Sequence, residues 1–161
     1  MMRHLIPALA TLVWFVHPAV AEPTIFLVRH AEKSQAGDAK DPELSEAGHA
    51  RAESLAVLLK DAGITAIYAT EFKRTQQTAE PFARAAGIKT TIVPAKETTA
   101  LLAQLKEAKG NVLIVGHSNT IPEILKALGL ISSLQIDEAD YDNLFILTTG
   151  STLQLLRLHF R

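Results

Sequence analysis

The chain has 161 residues, enough for one domain with a proper buried core, and a second folding unit is not expected. Its formal charge of −1 comes with no basic patch that would recommend a nucleic-acid partner. It contains no cysteine, which excludes disulfides, a thiolate nucleophile and cysteine-dependent phosphatase chemistry.

The first 21 residues read as an export signal. Arg3 stands near the start, an apolar stretch runs over residues 5–16, and His17-Pro18-Ala19-Val20-Ala21 places small residues at both positions of an A-x-A cleavage site. An apolar stretch of this length, interrupted by Pro7, is too short to span a bilayer core comfortably, and nothing later resembles a span. The leader is therefore expected to be cleaved after Ala21. That leaves residues 22–161 as one domain, periplasmic or secreted and without stable membrane insertion. Losing Arg3 with the leader takes the formal charge from −1 to −2.

Residues 24–28 are a short apolar, β-branched run. Ser45-Glu46-Ala47-Gly48 then opens a helical pattern with Leu55, Leu58, Leu59 and Ala62 on one face, Ser45 as N-cap and Gly63 as stop. A second strand is expected over Ile64–Ala69, a helix over Lys73–Ala86 ended by Gly87, and a third strand over 89–93. A helix over 99–108 closes at Gly110, and a wholly apolar fourth strand covers 111–115. A helix over 121–128 has Pro122 in its first turn and Gly129 after it. The end differs in kind: residues 144–148, a Thr149-Gly150-Ser151 turn and residues 152–159 read as a hairpin.

Strands alternating with helices imply an α/β three-layer sandwich: a mostly parallel central sheet, helices on both faces and a C-terminal antiparallel hairpin. In such sheets the ligand crevice lies beyond the carboxyl ends of the strands. His30, residues 70–74 and His117 all fall there. The one notable loop, residues 31–44, is rich in charge, Gly and Pro and adjoins this edge.

Two arginines and two histidines at strand ends suit a phosphate. Breaking a phosphomonoester requires charge stabilisation on the equatorial oxygens, an in-line nucleophile and a proton for the leaving oxygen. Arg29 and Arg74 supply planar forks that bind phosphate oxygens and stay charged. A histidine attacks when its ring is neutral at the attacking nitrogen and its other N–H is held by an acceptor. His30 is assigned attack, and His117 transition-state stabilisation. Ser118 and Asn119 can lend donors to phosphate at a helix N-terminus, or Asn119 or Thr120 simply caps that helix.

Four segments carry a resemblance: Leu27-Val28-Arg29-His30-Ala31-Glu32-Lys33, Leu44-Ser45-Glu46-Ala47-Gly48-His49-Ala50, Ala69-Thr70-Glu71-Phe72-Lys73-Arg74-Thr75-Gln76-Gln77-Thr78-Ala79 and Val115-Gly116-His117-Ser118-Asn119-Thr120. In this order they resemble the histidine phosphatase superfamily, in the short phosphatase form of its phosphoglycerate-mutase-like branch. The resemblance runs from about Ile25 to Leu128. It implies a phosphohistidine mechanism with His30 as nucleophile and with Arg29, Arg74 and His117 completing the phosphate pocket, and it implies no metal and no organic cofactor.

Where many members of this branch continue Arg-His-Gly with a Ser and an Asn near the phosphate, this chain has Ala31, Glu32 and Lys33. Lys33 either replaces some of that polar contact or is a solvated loop lysine. The family's proton donor usually sits in an insertion after the third strand. Only residues 94–98 occupy that place, which makes Glu97 the candidate general acid, with Glu71 as second choice. Glu97 reads equally well as a first-turn helix acid. His49, His159, Glu53 and Glu80 read as structural or surface groups.

The expected function is hydrolysis of phosphomonoesters, on a small phosphorylated substrate, by a metal-independent histidine phosphatase. A mutase is disfavoured because the family's mutases carry larger insertions, and the stretch over residues 93–111 is short. Two alternatives stay open: a phosphohistidine protein phosphatase, and a member that binds phosphate or a phospholigand without turnover. A zinc enzyme is disfavoured because no closely spaced His pair exists and Arg29 would repel a cation beside His30.

Overall fold

The apolar runs assemble into one six-stranded sheet because each carries hydrophobic side chains on both faces. In β1 (Thr24–Arg29), Ile25 and Leu27 point into one core layer, while Phe26 and Val28 point into the other. β4 (Asn111–Gly116) repeats this split, with Val112 and Ile114 on the first face and Leu113 and Val115 on the second. Strands buried on both sides read as continuous apolar runs, and such strands pair in parallel beneath covering helices.

The computed structural model describes residues 22–130, 133–150 and 152–161. The leader expected over residues 1–21, and Ser151 of the expected turn, lie outside the described residues. In chain order the other elements are α1 (Glu46–Leu59), β2 (Ile64–Ala69), α2 (Lys73–Ala86), β3 (Thr90–Ile92), α3 (Thr98–Glu107), α4 (Thr120–Ala127), β5 (Asn143–Thr148) and β6 (Gln154–His159), with β4 between α3 and α4. Among the described residues, no helix is long and apolar enough to cross a membrane.

The sheet order is β3-β2-β4-β1-β5-β6. β3, β2, β4 and β1 are parallel, β5 runs antiparallel to β1, and β6 runs antiparallel to β5. The architecture is thus the expected α/β sandwich with an antiparallel end. Leu55, Ala56 and Leu59 of α1 and Ala79 and Phe82 of α2 cover one face; Leu101 and Leu105 of α3 and Ile121, Ile124 and Leu125 of α4 cover the other.

Neighbouring strands β1 and β4 therefore send their following helices to opposite faces. Their carboxyl ends diverge there, at the kind of switch point where α/β sheets open a crevice. The last register pair is Arg29 opposite Gly116, and the His30 N–H donates to the Gly116 carbonyl at 2.9 Å, extending the ladder one residue beyond β1. Because β5 is antiparallel, its amino end and the loop before it lie at this same edge.

β2 and α2 keep the bounds of the sequence reading, and the other elements shift by one to three residues at one end or both. α1 stops at Leu59, with Lys60 as C-cap and the Ala62 N–H bonded to the Leu59 carbonyl, short of the Gly63 stop. The Ser45 cap is present, its hydroxyl accepting from the Gly48 N–H at 3.1 Å. A side chain at Gly48 would drive its Cβ into the Glu32 carbonyl oxygen. Only glycine lets the segment after His30 lie this close on the first turn of α1.

Candidate active site

His30 and His117 sit one residue past β1 and β4, and the strand pairing brings their rings 5.3 Å apart in an edge-on arrangement. Both are buried, at 3% and 7% exposure. The His30 Nδ1 lies 2.8 Å from the Ala31 carbonyl oxygen. A carbonyl can only accept, so Nδ1 carries the proton and Nε2 the lone pair. Burial, above all, pulls the His30 pKa down to about 3. The Ala31 carbonyl pushes the other way, and the charges of Arg29, His117 and Arg74 add to the lowering. The ring is neutral at physiological pH, in a fixed tautomer with its nucleophilic nitrogen available.

The motif that begins α2 holds this geometry residue by residue. Thr78 Oγ1 accepts the Ala31 N–H at 2.9 Å and donates to the Arg74 carbonyl. Gln77 Oε1 accepts the Leu44 N–H at 2.8 Å, fixing the end of the loop that follows His30. Gln76 bonds the Glu71 carbonyl, and Thr75 donates to the carbonyls of Thr70 and Phe72. With its proton so used, Thr75 Oγ1 accepts from Thr70, 2.9 Å away, and Thr70 Oγ1 in turn accepts from His117 Nε2 at 3.0 Å. That chain of hydroxyls orients the second histidine.

The His117 pKa falls to about 4, first through burial and then through Arg74; Glu71 opposes the shift. The His117 N–H donates to Thr120 Oγ1 at 2.8 Å. A Cβ at Gly116 would come within 2.7 Å of that same hydroxyl, so a glycine before His117 preserves the turn that presents it.

Arg29 is 2% exposed, yet its guanidinium is enclosed by the loop before β5. Nη1 donates to the Asp137 carbonyl at 2.7 Å and more distantly to that of Asp140 at 3.4 Å; Nη2 meets Glu138 Oε2 at 2.8 Å, and the Tyr141 ring lies 4.3 Å from Cζ. Arg74, in the first turn of α2, stacks on Phe72 at 4.3 Å and stands 3.7 Å from Asp41. The Nε–H groups of both arginines are buried and have no hydrogen-bond partner among the described residues. Two orphaned cationic donors beside two neutral histidines form an anion pocket.

The structure thus brings Arg29, His30, Arg74 and His117 together. Ser118 joins them at the rim, donating to Glu138 Oε1 at 2.6 Å. Asn119 makes no side-chain cap bond to α4. Glu97 precedes α3 and is exposed, its carboxylate without a hydrogen bond or ion pair among the described residues; it lines a small hollow shared with Thr70, Gly116 and Thr120. The Glu71 carboxylate accepts the Ala95 N–H at 2.8 Å and acts electrostatically on His117 and Arg74. Lys33 is exposed and pairs through its backbone with Leu44. Glu32 turns away to Arg51, which it meets at 2.6 Å. His49 is exposed, His159 bonds Asp142, and Glu53 and Glu80 both pair with Arg84 on the helix surface. No group of three His, Asp or Glu side chains among the described residues is arranged to hold a metal ion.

Glu138 and Tyr141 escaped the sequence reading, and Thr70 was placed at the crevice edge without a role. The signal for the first two was the acidic run Asp137-Glu138-Ala139-Asp140-Tyr141-Asp142 directly before an antiparallel strand, where it must reach the crevice edge.

Fold and side chains together define an α/β protein with an Arg–His anion pocket at its parallel strand ends. The model of the histidine phosphatase superfamily (branch 1) matches residues 25–101, just under half of the chain, and over that stretch the chain is similar to that superfamily. Solved structures share the fold at low identity. A putative phosphohistidine phosphatase from Agrobacterium tumefaciens is 24% identical with TM-score 0.62, over 86% of this chain and 97% of that one. A putative alpha-ribazole-5'-P phosphatase from Escherichia coli is 16% identical with TM-score 0.67, over 86% and 96%. A mycobacterial glucosyl-3-phosphoglycerate phosphatase in complex with inorganic phosphate is 15% identical with TM-score 0.63, over 84% and 95%. At these identities the likeness concerns the fold. A search of curated proteins returns no match.

The two depressed histidine pKa values make stability depend on pH. Both lie below the ordinary 6.5, so as pH falls through 6.5 the unfolded chain takes up protons that the folded chain refuses. Stability is then lost from pH 6.5 down to about 4 through His117 and to about 3 through His30, with a limiting slope of about 1.4 kcal/mol per pH unit for each histidine. Urea unfolding at about pH 7.5 and about pH 5 should show the native chain losing roughly 2–4 kcal/mol more than a His30→Asn/His117→Asn variant. Equal losses would mean that neither ring is held neutral by the fold.

Proposed function

We propose that this chain is a phosphatase that hydrolyses phosphomonoesters through a phosphohistidine intermediate on His30. One observation carries the reading: a buried, neutral His30 whose Nδ1–H is held by the Ala31 carbonyl, within the electrostatic reach of two arginines with orphaned Nε–H donors. The two guanidinium groups take the non-bridging phosphoryl oxygens. Nε2 of His30 attacks phosphorus, the bond to the ester oxygen breaks, and water later releases phosphate from the histidine. Burial keeps the His117 ring neutral. A bound dianion favours its charged form and makes it a donor to the developing charge.

The substrate is a small phosphorylated molecule met outside the cytoplasm. The sequence of residues 1–21 supports export, with cleavage after Ala21 and a periplasmic or secreted mature chain. Amino-terminal sequencing of the exported protein should begin at Glu22; a start at Met1 in a cytoplasmic fraction contradicts this.

Mature protein should hydrolyse an aryl phosphate in the presence of a chelator. His30→Ala should lose at least about 10³-fold of that activity, and Arg74→Ala roughly 10²–10³-fold, the scale of a lost charge-stabilising donor. Retained turnover in folded His30→Ala contradicts covalent catalysis at this residue. Phosphate binding without turnover by the native chain would instead mark a phospholigand binder, and turnover confined to phosphohistidine would mark a protein phosphatase.

A further inference from the structure

We propose that Glu138 is the proton donor to the leaving group, held on Arg29 and Ser118 until the substrate's phosphoryl group displaces it. This rests on the phosphatase reading above and supplies the acid that reading lacks.

The Glu138 carboxylate makes the bonds a phosphoryl group would make: Oε2 to Arg29 Nη2 at 2.8 Å and Oε1 to Ser118 Oγ at 2.6 Å. Its side chain is 73% exposed, whereas that of Arg29 is 1% exposed, so the carboxylate covers the guanidinium from the solvent side. His30 and His117 close the buried side of the pocket. The substituent of any ester must therefore point outward. In-line attack from His30 places the leaving oxygen opposite the nucleophile, at the mouth where Glu138 stands.

Two anions cannot share these donors. When phosphoryl oxygens take Arg29 and Ser118, the carboxylate has to swing aside, but its backbone cannot follow. Arg29 Nη1 still holds the carbonyls of Asp137 and Asp140, the Asp140 N–H closes a turn onto the Asp137 carbonyl at 2.9 Å, and Tyr141 stays stacked on the guanidinium. Displacement is confined to the side chain, which remains beside the ester oxygen.

The same exchange prepares the proton. The Ser118 hydrogen bond holds the Glu138 carboxyl below its usual range; burial opposes this, and the charges of Arg29, Lys33 and His30 reinforce it. The groups facing Glu138 are Arg29, His30 and Lys33 from the β1 side, Ser118 and His117 after β4, and Arg74 from α2. Substrate removes the two direct contacts and brings a dianion close, and both changes favour the protonated acid.

In the first step His30 Nε2 bonds to phosphorus and the P–O ester bond breaks. Its electron pair goes to the ester oxygen, which takes the Glu138 proton and departs as an alcohol. In the second step the Glu138 carboxylate accepts a proton from water as that water's oxygen bonds to phosphorus. The P–N pair then returns to His30, phosphate leaves, and the acid is restored. Neither alternative carboxylate touches a phosphate ligand: that of Glu97 has no hydrogen bond or ion pair among the described residues, and that of Glu71 is tied to the Ala95 N–H.

The test compares Glu138→Gln with the native chain on 4-nitrophenyl phosphate, whose leaving group needs no proton, and on an alkyl phosphate, whose leaving group does. The kcat ratio of alkyl to aryl substrate should fall roughly 10²-fold in the variant, and the alkaline limb of the alkyl kcat profile should vanish. A lower KM for both substrates with an unchanged kcat ratio would show a carboxylate that only obstructs the pocket, and overturns the proposal. So does a ratio that holds in Glu138→Gln and collapses in Glu97→Gln or Glu71→Gln. Absence of native turnover on the aryl phosphate contradicts the phosphatase reading itself, and this role with it. Native turnover with an unchanged ratio in the variant overturns only the role of Glu138.

Discussion

The structure depends on a charge buried at the end of a hydrophobic strand. Arg29 closes β1 almost wholly out of water, and an unpaired guanidinium there would cost several kcal/mol. The chain compensates with the loop before β5, whose carbonyls at Asp137 and Asp140, carboxylate at Glu138 and ring at Tyr141 enclose the group. That compensation is incomplete at Nε. Arg74 shares the shortfall, so the two cations are held firmly while keeping donors for an anion. Rigidity and binding capacity come from the same partial satisfaction.

Strand order converts this local arrangement into a site. Inserting β4 between β2 and β1 makes neighbours of two strands that each end on a histidine, and their helices leave on opposite faces. Burial then makes both rings poor bases in the proton sense, while the Ala31 carbonyl and the Thr70–Thr75 pair fix how each ring is turned. Burial thus keeps both histidines neutral beside the two guanidinium groups. The small residues beside them, Gly48 and Gly116, keep the peptide close enough for these contacts.

Much of this was legible before the structure. Parallel strands buried on both faces leave unbroken apolar runs, so β1, β2 and β4 stood out along with the residues just beyond them. β3 was harder to bound because it is a mostly exposed edge strand of three residues with one partner. The role of Thr70 depends on a contact with His117, 47 residues away, which no local pattern encodes. Glu138 and Tyr141 were hidden for a related reason. Their loop reaches the pocket only because β5 reverses direction beside β1, and its acidic composition alone resembles any solvated turn.

The central claim is that His30 forms a covalent phosphoryl intermediate. Rapid mixing with an excess of an aryl phosphate, alkaline quenching and intact-mass measurement tests it most directly. The account predicts a transient species heavier by one phosphoryl group, acid-labile, located on the peptide containing His30 and absent from His30→Asn. Steady turnover with no such species, or with the label on another residue, would contradict it.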